Sequence, residues 1–226
     1  QLTEGNYQSF IKSKDRRVRK EAFLALFDTY GKYRNTLGTS LSASMNNFVF
    51  KSRVRKYKNA LEASLKPNNI PVEVYENALD TINDSLPLLH RYVRIKKKLL
   101  NVDEMHMYDL YVPLIDVPKD YVDFNEGVEL IKTALKPLGE EYLQIFQEGI
   151  DSGWIDVYEN KGKRGGAYSF GTYDNMPYVL LNYNNTLNDV STLAHEMGHS
   201  LHSYYSKKNQ PYVYYNYTLF CAEVAS

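Results

Sequence analysis

Between residues 17 and 30, Val18, Ala22, Ala25, Leu26 and Tyr30 recur every three or four positions, the spacing of one helical face. The same reading predicts a second helix over about residues 40–65, closed by Lys66-Pro67-Asn68-Asn69. A third starts at Pro71, a residue suited to a first helical turn, and carries Val74, Leu79, Ile82, Leu86 and Leu89 on to about Leu100. Pro87 lies inside it and predicts a kink or a break. The stretch 108–114, with Pro113 and then Pro118, reads as extended or irregular. Residues 125–150 return to helix through Val128, Ile131, Leu135, Leu138, Tyr142, Ile145 and Phe146. The internal Pro137-Leu138-Gly139 fits two helices or one bent one. From Trp154 the pattern shortens, and residues 154–158, 167–173 and 178–183 read as short strands. Two last helices are expected over 188–206 and 217–226. The fold class is therefore mainly α, a helical core with a small sheet of about three short strands beside its last long helix. A helical N-terminal portion over 1–102 would precede a second portion over 103–226, with its strand region at 154–183.

Composition narrows the function. The 226 residues contain 27 Lys and Arg and 27 Asp and Glu, a formal net charge of zero, so neither nucleic acid nor an anionic membrane is called for as partner. The basic runs at 51–58 and 94–98 read as solvated helix faces. No apolar run reaches the ~20 residues that span a bilayer. Cys221 is the single cysteine, which excludes an intramolecular disulfide and favours a reducing compartment, so a cytoplasmic protein is expected. The first residues, Gln1-Leu2-Thr3-Glu4-Gly5, have neither a starting Met nor a signal-peptide pattern, and the sequons at Asn83, Asn184 and Asn216 are read as coincidental. There are 21 tyrosines against 9 phenylalanines and 1 tryptophan. Tyrosine suits a wet channel wall or a peptide cleft, and compositional drift accounts for the excess equally well. The run Lys161-Gly162-Lys163-Arg164-Gly165-Gly166 lacks the Gly-Lys-Ser/Thr ending of a phosphate loop and reads as a hairpin turn, while its glycines would also let a backbone approach an extended ligand.

The chemistry concentrates near the C-terminus. Asn188-Asp189 can cap a helix whose apolar face is Val190, Leu193, Ala194, Met197, Leu201 and Tyr204. His195 and His199, one turn apart, lie roughly opposite that face and can reach one metal ion. Glu196, about 100° around the helix, can stand beside the ion without ligating it. This is the His-Glu-x-x-His pattern of a zinc peptidase with Glu196 as general base. Zinc suits imidazole and carboxylate donors, and a catalytic site takes three protein ligands. His202 lies one turn beyond the pair, too far along the axis, and the metzincin extension is absent. Glu223, on a second short helix after a reversing loop, is the expected third ligand, which makes the site gluzincin-like. Cys221, two residues earlier, would face away from the metal and reads as a small buried side chain. The donor for a reaction oxyanion is not identifiable from the pattern.

At these residues the chain resembles the thimet oligopeptidase-like zinc peptidases, and within them the oligoendopeptidase F group. The likeness is carried by Arg16-Arg17-Val18-Arg19-Lys20-Glu21-Ala22-Phe23, residues 108–114, Gly165-Gly166-Ala167-Tyr168, residues 193–202, and Phe220-Cys221-Ala222-Glu223-Val224-Ala225-Ser226. The resemblance implies a helical fold with a deep channel for short unfolded oligopeptides, one zinc per chain, and intracellular peptide turnover. It implies that Gly165, Gly166, Ala167, Tyr168 and the strand that follows line the cleft, where a peptide could add as a strand. Asp189 matches an acidic position at the start of the zinc helix, and capping explains it as well. The family pattern continues past the third ligand with tyrosine and histidine groups that grip substrate and oxyanion. The chain is thus expected to be a fragment whose missing partner is the C-terminal portion of the same enzyme, holding zinc weakly and turning over poorly alone. A second reading is a non-catalytic helical peptide-binding or structural domain. An aminopeptidase is a third, and it lacks a recognition motif for a free amine.

Overall fold

The computed structural model describes residues 2–115 and 121–226, so Pro118, which punctuates the expected irregular stretch, lies outside the described residues. After a short helix α1 (Tyr7–Ile11), the first long elements are α2 (Arg16–Lys32), α3 (Arg34–Val54), α4 (Ala60–Leu65) and α5 (Val72–Leu100). Two compact units result, Phe10–Ile115 and Gln1–Ser9 with Asp116–Ser226. No helix among the described residues is long and apolar enough to cross a membrane.

In the first unit the expected 40–65 helix is two. Lys56 adopts φ 61°, which ends the helical track, and Asn59 caps α4 by accepting from the Glu62 backbone N–H at 2.9 Å. Residues 72–100 form one continuous helix with Pro87 inside it, so of the kink or break expected there the break does not occur. The apolar periodicity marks helix correctly here, yet Leu79, Ile82, Leu86 and Leu89 of α5 are all exposed. The 94–98 run departs from a solvated face at Lys96, which is buried and donates to the Leu110 carbonyl at 2.6 Å. A long stem hides in apolar surroundings while its ammonium finds an acceptor.

Residues 103–115, grouped above with the second portion of the chain, pack in this unit through Asp109. Its carboxylate is fully buried and accepts from Arg16 Nη2 at 3.0 Å, Arg19 Nη2 at 2.8 Å and the His106 backbone N–H at 3.1 Å. Arg16 also lies over the Tyr108 ring, 5.4 Å from its centroid. Burial pushes the Asp109 pKa up, but the hydrogen bonds of the two guanidinium groups outweigh it and hold the carboxyl at about 2. Because the folded pKa is depressed, this contribution is present above the usual carboxylate range and is lost as pH falls through about 2. Asp109→Asn keeps the shape and strands the buried Arg19 charge. The expected cost is about 3–5 kcal/mol, read as a lower urea midpoint at pH 7. An unchanged midpoint would mean that the arginines find other partners.

In the second unit α6 (Phe124–Leu135) and α7 (Glu140–Asp151) are separate helices joined by a 3-10 turn and Gly139 at φ 95°. Strands β1 (Ile155–Asp156), β2 (Tyr168–Phe170) and β3 (Tyr178–Leu180) form a mixed sheet in the order β1-β3-β2. β1 runs parallel to β3, and β2 antiparallel. The hairpin turn expected at residues 161–166 is therefore corrected: β1 and β2 are not neighbours, and that segment is a connection across the sheet. The hairpin lies between β2 and β3. There a Cβ on Gly171 would come within 2.9 Å of the Met176 carbonyl oxygen. The last helices are α8 (Leu187–Asn209) and α9 (Leu219–Val224). Val128, Ile131, Ile145, Phe146, Trp154, Val179, Leu181, Val190, Leu193, Met197 and Leu201 make the core, so α8 is clamped between α6 and α7 and the sheet. The mainly helical fold with a small three-stranded sheet beside α8 agrees with the sequence reading.

Candidate metal centre

The N-cap of α8 lies two residues before Asn188. Thr186 is the N-cap, and Asp189 completes a capping box. The Asp189 carboxylate accepts from the Thr186 N–H at 2.9 Å, the Thr186 hydroxyl at 2.7 Å and the Asn184 N–H at 3.1 Å. Val190, Leu193, Met197 and Leu201 are buried, and this fixes the rotation of the helix. On the side away from that stripe the Nε2 atoms of His195 and His199 stand 3.1 Å apart. Glu223 Oε2 lies 3.9 Å from His195 Nε2 and 4.0 Å from His199 Nε2. The three residues place their ligand atoms within 4.8 Å of one another. The sequence-predicted trio is thus brought together across two helices.

Four devices hold α9 and the loop before it there. Gly198 lets the chain after α9 lie directly on α8: an added Cβ would sit 2.7 Å from the Ala225 carbonyl oxygen and 2.8 Å from Ser226 Cα. Ser203 and Ser206 bond the Tyr217 hydroxyl and the Tyr215 carbonyl. The His202 ring stacks on Tyr217 with centroids 3.8 Å apart. Tyr173 adds a hydrogen bond to the Gln210 carbonyl at 2.9 Å and packs its ring on Tyr212 and Tyr215. Several of the abundant tyrosines therefore brace the reversing loop. His202 stands outside the trio, as expected. Burial and the neighbouring His199 both lower its pKa. Cys221 is exposed rather than buried. At about 100° per residue it points some 200° away from Glu223, and on this short helix that direction is solvent.

Glu196 is buried at 6 % exposure, one residue along from His195. The Ser169 backbone N–H favours the charged form of its carboxylate. Burial raises its pKa, the His195 and His199 charges and the Ser169 bond oppose this, and Glu223 adds a smaller push upward. Strand β2, at the edge of the sheet, is fastened alongside by the Ser169 and Ser200 hydroxyls at 2.8 Å, with Ser200 also donating to the Glu196 carbonyl at 3.0 Å. Sequence reasoning missed this clamp and the Ser203 and Ser206 contacts. The signal was Ser200, Ser203 and Ser206, three apart on the helix that carries the histidines.

The four residues expected to line a cleft lie along the approach to β2. Gly165 packs on Glu4 beside a cleft of ≈ 740 Å³, and Asn182 donates to the Gly166 carbonyl at 2.8 Å. Ala167 packs against the core, and Tyr168 is exposed on β2.

Residues 9–226 match peptidase family M3. The chain is 53% identical over 226 residues to the oligopeptidase PepF of Bacillus subtilis (strain 168), covering all of this chain and 34% of that protein. It is 44% identical over 226 residues to the chromosomal oligoendopeptidase F of Lactococcus lactis subsp. cremoris, covering all of this chain and 37% of the relative. The crystal structure of oligoendopeptidase-F from Enterococcus faecium superposes with a TM-score of 0.59 at 37% identity, over 100% of this chain and 32% of that one. The chain thus spans about a third of the length of the curated relatives it matches.

Proposed function

The chain belongs to peptidase family M3, and from that premise we propose that it carries the zinc centre of an endopeptidase that hydrolyses short unfolded oligopeptides. The observation that carries the proposal is the meeting of His195, His199 and Glu223 beside a buried Glu196. Two donors that each bind zinc at about 2.0–2.2 Å cannot be more than about 4.4 Å apart. The three separations of 3.1, 3.9 and 4.0 Å all fall inside that limit. Two imidazoles and a carboxylate form a donor set suited to zinc, one ion per chain, with a position left open.

Zinc held there supplies a Lewis acid for the scissile carbonyl and makes water more acidic. Glu196, buried beside the two histidines, takes the proton of the attacking water at its carboxylate and returns it to the leaving amine. β2 is the terminal strand of the order β1-β3-β2, and its outer edge would offer an extended peptide a strand to pair with, next to that carboxylate. Gly165, Gly166, Ala167 and Tyr168 lead into this edge and would line the path of the substrate. Action on oligopeptides in the cytoplasm, alongside the remaining portion of a longer enzyme, belongs to the same proposal. It is supported by the single cysteine and by relatives about three times as long.

The experiment pairs metal analysis with an N-acetylated, internally quenched peptide. About one zinc per chain is expected, with internal cleavage that stops on chelation and returns with zinc. A chain that takes up no zinc on reconstitution would overturn the metal centre. Cleavage restricted to peptides with a free amino terminus would turn the reading to an aminopeptidase.

A further inference from the structure

A cavity of ≈ 390 Å³ opens beside the C-terminal half of α8, and none of the metal-centre residues lines it. Its walls are Trp154, Tyr173, Tyr204, Met176 and Pro177, and Lys207 enters from α8. That volume, with an aromatic wall facing the polar groups of Glu148, Asp174, Asn175, Lys207 and Lys208, describes a small-molecule site.

The charges around it are unequally committed. Lys208 is engaged with Glu141 at 3.3 Å and lies 5.8 Å from the centroid of the Tyr204 ring. Glu148 and Asp174 are exposed. Lys207 is half-buried, donates only to the Asn175 carbonyl at 3.0 Å, and has no carboxylate partner among the described residues. Burial lowers its pKa, as expected for an ammonium group without a counter-charge. The Trp154 indole N–H meets only the Met176 thioether, a weak acceptor, at 2.8 Å. An aromatic-walled slot with one unneutralised cation lacks an anion on an aromatic body.

We propose that this cavity binds an aromatic carboxylate, with the ring among Trp154, Tyr173 and Tyr204 and the carboxylate on the Lys207 ammonium. Such a group comes either from a free aromatic amino acid or from the C-terminal residue of a peptide.

Trp154 is the only tryptophan in the sequence, so the indole emission comes from a residue that lines this cavity. Titration of the chain with 3-phenylpropanoate is expected to give a saturable emission change. The neutral 3-phenylpropan-1-ol should bind about tenfold more weakly or worse, the scale of one lost charge-assisted hydrogen bond. Lys207→Met should show the same loss for the acid, while Lys207→Arg, which keeps the charge, should retain binding and shows that the position tolerates change. Tighter binding of N-acetyl-L-phenylalanine than of L-phenylalanine assigns the peptide C-terminus as source, and the reverse order assigns the free amino acid. Emission indifferent to every probe at millimolar concentration overturns the site. Equal affinity for acid and alcohol, or for the parent chain and Lys207→Met, overturns the role of the ammonium. None of these readings depends on zinc, so they stand or fall apart from the metal centre.

Discussion

Glu196→Gln is expected to leave the zinc content unchanged and to lower kcat for peptide cleavage by about 10²–10⁴-fold, the range that a positioned acid–base group contributes. The amide has the shape of the carboxylate and keeps an oxygen that can accept a hydrogen bond. What it loses is the ability to take a proton. The buried position makes the substitution a mild one for packing, since a neutral amide is less costly to desolvate than a charge. His195 and His199 keep their rings on the same helical face, so metal content should be unaltered. Elemental analysis and a quenched-peptide assay on the same preparation separate the two effects. A fall in cleavage that merely follows a fall in zinc would remove Glu196 from the role of base. A loss smaller than tenfold would do so as well.

How far such a site can be read in advance depends on how much geometry one element contains. His195, Glu196 and His199 share a helix, so 3.6 residues per turn and the buried stripe from Val190 to Leu201 already dictate where each points. Glu223 needed one further assumption, that the intervening loop reverses the chain, and the three-apart spacing of Ser200, Ser203 and Ser206 marks a helix face without saying which tyrosines it meets. The sheet was harder. Strands of two or three residues announce themselves as short apolar runs but hold no register, so the order β1-β3-β2 and the hairpin between β2 and β3 were not legible. Asp109 lies 93 residues from Arg16 and 90 from Arg19 in sequence, and nothing in either segment announces that a buried carboxylate joins them. Lys96 and Cys221 went astray for a related reason. Residue type gives an average burial, whereas the carbonyl of Leu110 and the shortness of α9 decide the individual case.

Glu223→Ala tests the step that depends on tertiary structure. Zinc affinity is expected to fall by more than the roughly 10–100-fold that the loss of an outer-shell partner costs, because a direct ligand is removed. Glu223 is 55% exposed and its carboxylate approaches His195 and His199 no closer than 3.9 Å, so the metal-free protein should unfold at nearly the same temperature as the parent. Zinc raises the parent's midpoint by binding only the folded chain, and that increment should all but vanish in the variant at the same zinc concentration. The comparison of apo and loaded midpoints therefore isolates ligation from folding. Gly198→Ala approaches the same ligand from the opposite side. The new methyl group meets backbone at 2.7 and 2.8 Å, so α9 has to move away from α8 while His195 and His199 stay where they are. A weakened zinc site in Gly198→Ala, with Glu223 still present, would show that the close approach of the two helices is what completes the trio. Full zinc affinity in Glu223→Ala would instead leave the metal to the two histidines, and the third ligand would have to be sought elsewhere.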